Sequence, residues 1–167
     1  MRQVTLSNVR IVCIGGGRRE CAEVPLDRLH KVPERPQSYP EFWMFGELPA
    51  YALYCRHVED LRISGMEVRY REQDYRAAAV FDDARNIELD GFHARTVGEE
   101  PLMVFNDVNG AMVRGCGVPA GTRVFLRLQG RCERITAIGN DLSGATTPFQ
   151  FTPATIEKVL FDAANRR

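Results

Sequence analysis

Apolar and polar residues alternate along this chain in short bursts, and the bursts repeat. "LRISGMEV" (61–68), "IELDGFHA" (87–94), "AMVRGCGV" (111–118) and "ITAIGNDL" (135–142) share one pattern. Two alternating apolar positions precede a glycine, and two more alternating positions follow it. The glycines are Gly65, Gly91, Gly115 and Gly139, at spacings of 26, 24 and 24 residues. A further copy, "VTLSNVRI" (4–11), has Asn8 at the glycine position.

Aligning the copies on the glycine gives columns. One holds Val58, Ala84, Val108 and Cys132, the next Leu61, Ile87, Ala111 and Ile135, and the third Ile63, Leu89, Val113 and Ala137. Beyond the glycine stand Met66, Phe92, Cys116 and Asn140, then Val68, Ala94, Val118 and Leu142. Asn140 is the polar exception. A period of two predicts strands, because successive side chains point to opposite faces. The glycine predicts a sharp corner with positive φ, a conformation asparagine also tolerates.

A third strand precedes each corner unit, in "LYCRHV" (53–58), "AVFDDA" (79–84), "LMVFNDV" (102–108) and "FLRLQGRC" (125–132). Three strands per coil of about 24 residues predict an all-β fold, a right-handed parallel β-helix of five or six coils. The L-x-x-L-x-L-x-x-N pattern of a leucine-rich repeat is absent. A Greek-key sandwich would not produce in-register columns.

Three regions break the repeat. Residues 13–50 read as a long Gly- and Pro-rich insertion, in which Tyr39, Phe42, Trp43 and Phe45 predict partial packing onto the coils. Residues 70–76, "YREQDYR", read as a shorter polar excursion. Residues 152–167, "TPATIEKVLFDAANRR", predict a helix capped by Thr152, with Pro153 at its first position. Ile156, Val159, Leu160 and Ala163 share its apolar face. The domain reading is thus a β-helix over 1–151 and a terminal helix covering the end or edge of the stack. The N-terminal coil has no such cover, and an open edge is an aggregation hazard. Earlier coils or another subunit are expected to lie there.

Composition narrows the function classes. The 167 residues carry 22 basic and 22 acidic side chains, a net charge of zero, which gives no basic face for nucleic acid. Twenty of the basic residues are arginines, well suited to carboxylate ligands, although a biased genome gives the same excess. No apolar run is long enough to span a membrane. The opening residues read as a strand rather than a signal peptide. Cys13, Cys21, Cys55, Cys116 and Cys132 lack paired spacing, which argues against zinc and a disulfide framework. His30, His57 and His93 are too dispersed for a metal site, and "GGGRR" lacks the ending of a phosphate loop. No cofactor is expected.

The runs "VTLSNVRIVCIGGG", "VPERPQSYPEFWMFGELPAYALYCRHVEDLRISGMEVRY", "RAAAVFDDARNIELDGF" and "VFLRLQGRCERITAIGNDLSGA" resemble the C-terminal half of bacterial polygalacturonase-like proteins, the family 28 glycoside hydrolases. The resemblance covers about residues 2 to 144. It implies the pectin-lyase-like fold, a secreted or periplasmic setting and pectic, uronate-containing substrates. The family hydrolyses them with inversion, one aspartic acid protonating the leaving group while others activate water. Of its N-T-D, D-D, G-H-G and R-I-K motifs only a D-D occurs here, Asp82-Asp83. The resemblance therefore implies a non-catalytic portion that forms part of a carbohydrate groove, with the catalytic coils upstream. The alternative is a stand-alone binding or structural module that oligomerises through its open N-terminal coil.

Column alignment places Arg56, Asp82, Asn106 and Gly130 together, and His57, Asp83, Asp107 and Arg131 beside them. Asp83 and Asp107, stacked about 5 Å apart, match the carboxylate separation of retaining glycosidases. They are weak catalytic candidates, since aspartates at a coil corner also serve as turn formers. Arg56, His57, Tyr39, Trp43 and Arg18 (with Arg19) are the candidate carbohydrate contacts, aromatic faces and guanidinium forks being suited to uronates. Against this, a histidine such as His57 more often simply bonds a neighbouring loop, and the aromatics would at least equally anchor the insertion.

Overall fold

The computed structural model describes residues 1–18, 25–39, 41–153, 155 and 157–167, and all but the side chain of Phe42 among them. Arg19, Cys21 and Ile156 lie outside the described residues. The chain climbs a parallel β-solenoid. Its strands are β1 (Arg2–Ser7), β2 (Arg10–Gly15), β3 (Ala50–Glu72), β4 (Ala77–His93), β5 (Met103–Asn106), β6 (Asn109–Arg114), β7 (Thr122–Gln129), β8 (Glu133–Ile138), β9 (Ala145–Phe151) and β10 (Leu160–Ala163).

Each turn has three faces. Face A stacks the start of β3 on that of β4, then β5, β7 and β9. Face B stacks β1, the middle of β3, the later part of β4, β6, β8 and β10. Face C carries β2 against the end of β3, then single bridges through His93, Gly117, Asp141 and Arg166. All pairing is parallel, and β3 and β4 run continuously round the corners. Four complete turns are flanked by a partial rung at each end.

The columns are physical. Ile63 pairs with Leu89, Leu89 with Val113 and Val113 with Ala137, and all four are fully buried. Phe81 and Phe105 stack edge to face one rung apart, with ring centroids 5.3 Å apart, a geometry the ring quadrupoles favour. At the corner between faces B and C, Asn8, Gly65, Gly91, Gly115 and Gly139 have φ of 54°, 60°, 69°, 62° and 66°. Buried Asn140 is satisfied rather than orphaned. Its Oδ1 accepts from Cys116 N at 3.0 Å, while its Nδ2 donates to Val113 O at 3.1 Å and Asn165 Oδ1 at 2.8 Å.

The structure corrects the expected C-terminal helix. A single 3-10 turn, Glu157–Val159, leads into β10, which pairs Leu160 with Ile135 and Ala163 with Ile138. Ala164 then takes the left-handed corner (φ 53°), and Arg166 bridges Asp141 on face C. The segment repeats strand, corner and bridge as one more rung. The open edge of β8 offers backbone partners along its whole length, and a short amphipathic stretch gains more from them than from an isolated helix.

Two boundaries also move. The insertion begins after Gly15, because Cys13 and Ile14 belong to β2, and "YRE" of the polar excursion belongs to β3. Within the insertion, Leu26, Leu29 and Val32 are buried. Leu26 and Leu29 pack with Val80 and Val104 on the outside of face A. Tyr39 and Trp43 are 82% and 63% exposed, so aliphatic residues rather than these aromatics seat the insertion.

Candidate functional site

The corner between faces A and B gathers most of the candidate residues. His57, Asp83, Asp107 and Gly130 form a second left-handed column, with φ of 53°, 48°, 52° and 66°. This corrects the aligned columns: Asn106 pairs with Gln129, so Gln129 and Gly130 hold the places assigned to Gly130 and Arg131. An extra residue enters here before the register resumes at Asn109 with Glu133.

Arg56 turns inward under the insertion. Its Nε donates to Asp82 Oδ2 at 2.6 Å, its Nη1 to Val32 O at 2.9 Å, and its Nη2 to Leu29 O. Asp82 also accepts from Tyr54 Oη at 3.1 Å and from Asn106 Nδ2 at 2.6 Å. Both partners of the ion pair are about nine-tenths buried. Arg56 thus fastens the insertion to face A. Burial, then the adjacent Asp82 charge, pushes the Tyr54 hydroxyl well above its usual pKa.

His57 points outward between two carboxylates. Nδ1 lies 2.5 Å from Asp83 Oδ2 and Nε2 lies 3.0 Å from Glu34 Oε1 of the insertion. Two acceptors on one imidazole favour the doubly protonated ring, so the bonds to Glu34 and Asp83 raise the His57 pKa. The same bond from His57 lowers the pKa of Glu34. Glu34 is the partner that sequence columns could not supply, since it comes from the insertion. Asp107, one rung further along the column, is a turn former: its Oδ1 accepts from Arg131 N at 2.7 Å and its Oδ2 from Asn106 Nδ2 at 3.2 Å. Asp83 and Asp107 therefore face different partners. Arg18 is exposed where the described part of the first loop ends.

A larger site lies on the outside of face B, where no candidate had been placed. An open groove of about 750 Å³ crosses four rungs, roughly 14 Å at the usual interstrand spacing. Its floor holds Arg62, Glu88 and Met112, and Arg114 closes one side. Arg62 Nε donates to Glu88 Oε2 at 2.8 Å, and Arg114 Nη2 donates to Glu88 Oε1 at 3.0 Å. Both guanidinium groups remain about half exposed or more.

Gln3, Asp60, Asn86, Gly110 and Arg134 form a third left-handed column, and the first four of them make the groove wall. Each is skipped between paired neighbours on face B. Asn86 Nδ2 donates to Asp60 Oδ1 at 3.0 Å. The signal was present as an Asp–Asn–Gly column, residue types that tolerate positive φ. The flanking strand alternation concealed it.

Among the described residues, no cluster of His, Cys, Asp and Glu is arranged to hold a metal ion. Cys116 and Cys132 are buried core thiols, and burial pushes Cys116 up to about 11. Comparison with protein-family models, curated proteins and solved structures gives no match to this chain.

Proposed function

We propose that this chain is a non-catalytic carbohydrate-binding solenoid of the polygalacturonase-like kind, and that the face B groove holds a uronate-containing polysaccharide. The observation that carries this reading is the groove itself. An extended, solvent-open channel crosses four rungs, with guanidinium donors, amide and carboxylate groups and the single Met112 thioether set along it. Such a surface suits a linear polymer of hydroxyls and carboxylates, the exposed guanidinium forks taking the uronate groups. The parallel solenoid and the quoted sequence runs support the same reading. Hydrolysis is not proposed, because Asp82 is buried in the Arg56 pair, Asp107 caps a turn and Asp83 faces His57.

Affinity electrophoresis of the intact chain through gels containing polygalacturonate or neutral galactan tests this. Retardation is expected in polygalacturonate, and the Arg62→Ala, Arg114→Ala double variant is expected to bind about tenfold more weakly, equivalent to about 1.4 kcal/mol. Equal mobility of both proteins in every gel sinks the binding reading. Reducing-sugar release that disappears in Asp83→Asn sinks the non-catalytic one.

A further inference from the structure

Outward charges in two columns, one just past the corner between faces A and B and one just past the corner between faces B and C, alternate in sign along the stack. One column runs Arg2, Glu59, Arg85, Asn109 and Glu133 by direct strand register. The other runs Arg10, Glu67, His93, Gly117, Asp141 and Arg166. On the rungs of β1, β3 and β8 the two positions are eight residues apart and share a sign: Arg2 with Arg10, Glu59 with Glu67, and Glu133 with Asp141. The ladder forms ion pairs, Arg2 to Glu59 at 2.8 Å, Arg10 to Glu67 at 2.9 Å and Arg166 to Asp141 at 3.3 Å.

The rung of β1 and β2 ends this ladder with two arginines and an uncovered core. Val4, Leu6, Val9 and Ile11 are only partly buried, whereas Leu61, Ile63, Met66 and Val68 in the same columns are at most 2% exposed. Among the described residues nothing pairs with the far edges of β1 and β2. Val12 and Ile14 point outward at 54% and 75% exposure, so β2 is apolar on both faces, as strands covered on both sides are. Residues 1–18 contain Arg2, Arg10 and Arg18 and no acidic side chain.

We infer that this edge is a docking surface for a partner polypeptide that adds one acidic rung: a strand, a corner and a strand, with two carboxylates eight residues apart facing Arg2 and Arg10. Backbone pairing supplies the attachment, as in strand addition to an open sheet edge, and the carboxylates fix its register. The same charges disfavour head-to-tail addition of a second copy of this chain, since continuing the face C column sets Arg166 beside Arg10. Like charges directly opposite are destabilising.

The test titrates the intact chain with a peptide of sequence VEDLRISGMEVRY, its own residues 58–70, which carries Glu59 and Glu67 at the required spacing. The control peptide has arginine at both positions. The acidic peptide is expected to bind at least about tenfold more tightly and to slow amide exchange in residues 2–15. Arg2→Glu, Arg10→Glu is expected to reverse the peptide preference, and the milder Arg2→Gln, Arg10→Gln to abolish it. Equal binding of both peptides, binding without protection of 2–15, or no binding of either overturns the inference. So does concentration-dependent self-association that protects the same amides.

Discussion

Arg56 and His57 are adjacent in the chain and enter opposite environments. Arg56 goes under the insertion to a buried carboxylate, where removing one partner of a pair strands the other charge. Arg56→Leu is expected to cost about 3–5 kcal/mol in urea unfolding, and a loss below about 1 kcal/mol would mean that the pair does not hold the insertion. His57 is half exposed, so its contribution is screened and shows chiefly in its pH dependence. Its folded pKa is raised above the ordinary 6.5, so its stabilisation is fully present below about 6.5 and is lost as pH rises through the folded value. Glu34, lowered from 4.5, adds stability above that value that is lost as pH falls through its folded pKa. Unfolding midpoints of wild type and His57→Gln are therefore expected to differ more near about pH 6 than near about pH 9. A difference that grows toward high pH would show that the imidazolium bridge is not the source. In sequence these residues were visible as a charged corner. Which was anchor and which was bridge depended on Leu29, Val32 and Glu34, brought in from more than twenty positions away.

Among the elements, the corners were legible and one ending was not. Gly91 isolates the cost of the corner, because a Cβ there would meet only Gly65 at an ordinary 3.8 Å while φ stays at 69°. Gly91→Val is expected to lower stability by about 1–2 kcal/mol or more, the left-handed penalty increased by branching. Gly91→Asn should cost clearly less, as Asn8 occupies the same column. Equal thermal shifts for the two variants would show that steric space, not φ, selects glycine. The terminal segment misled because Thr152-Pro153 is a true start signal, and it does begin a turn, with Thr155 N bonded to Thr152 O at 2.9 Å. Val159, Leu160 and Ala163 fit a helical face, but Leu160 and Phe161 also fit inward and outward positions of a strand. The waiting edge of β8 decides between them.

At the scale of the whole molecule, stacking turns local periodicity into two long surfaces. One is the polar groove on face B, and the other is the basic, incompletely covered rung formed by β1 and β2. Both follow from rungs placed in register, so neither could be found by inspecting one repeat. The amino-acid sequence by itself determined the strand periodicity, the glycine corners, the inward columns and hence the three-sided parallel winding, because each depends on residues within one repeat or on their recurrence. Only the tertiary structure decided that the C-terminal segment is a rung and that Gln129 displaces Gly130 in its column. It also decided that Glu34 joins His57 and that Asp60, Asn86 and Gly110 build a wall. Those features depend on which edge, carbonyl or carboxylate lies within reach of a given side chain, and that proximity is created by folding rather than encoded in any one stretch.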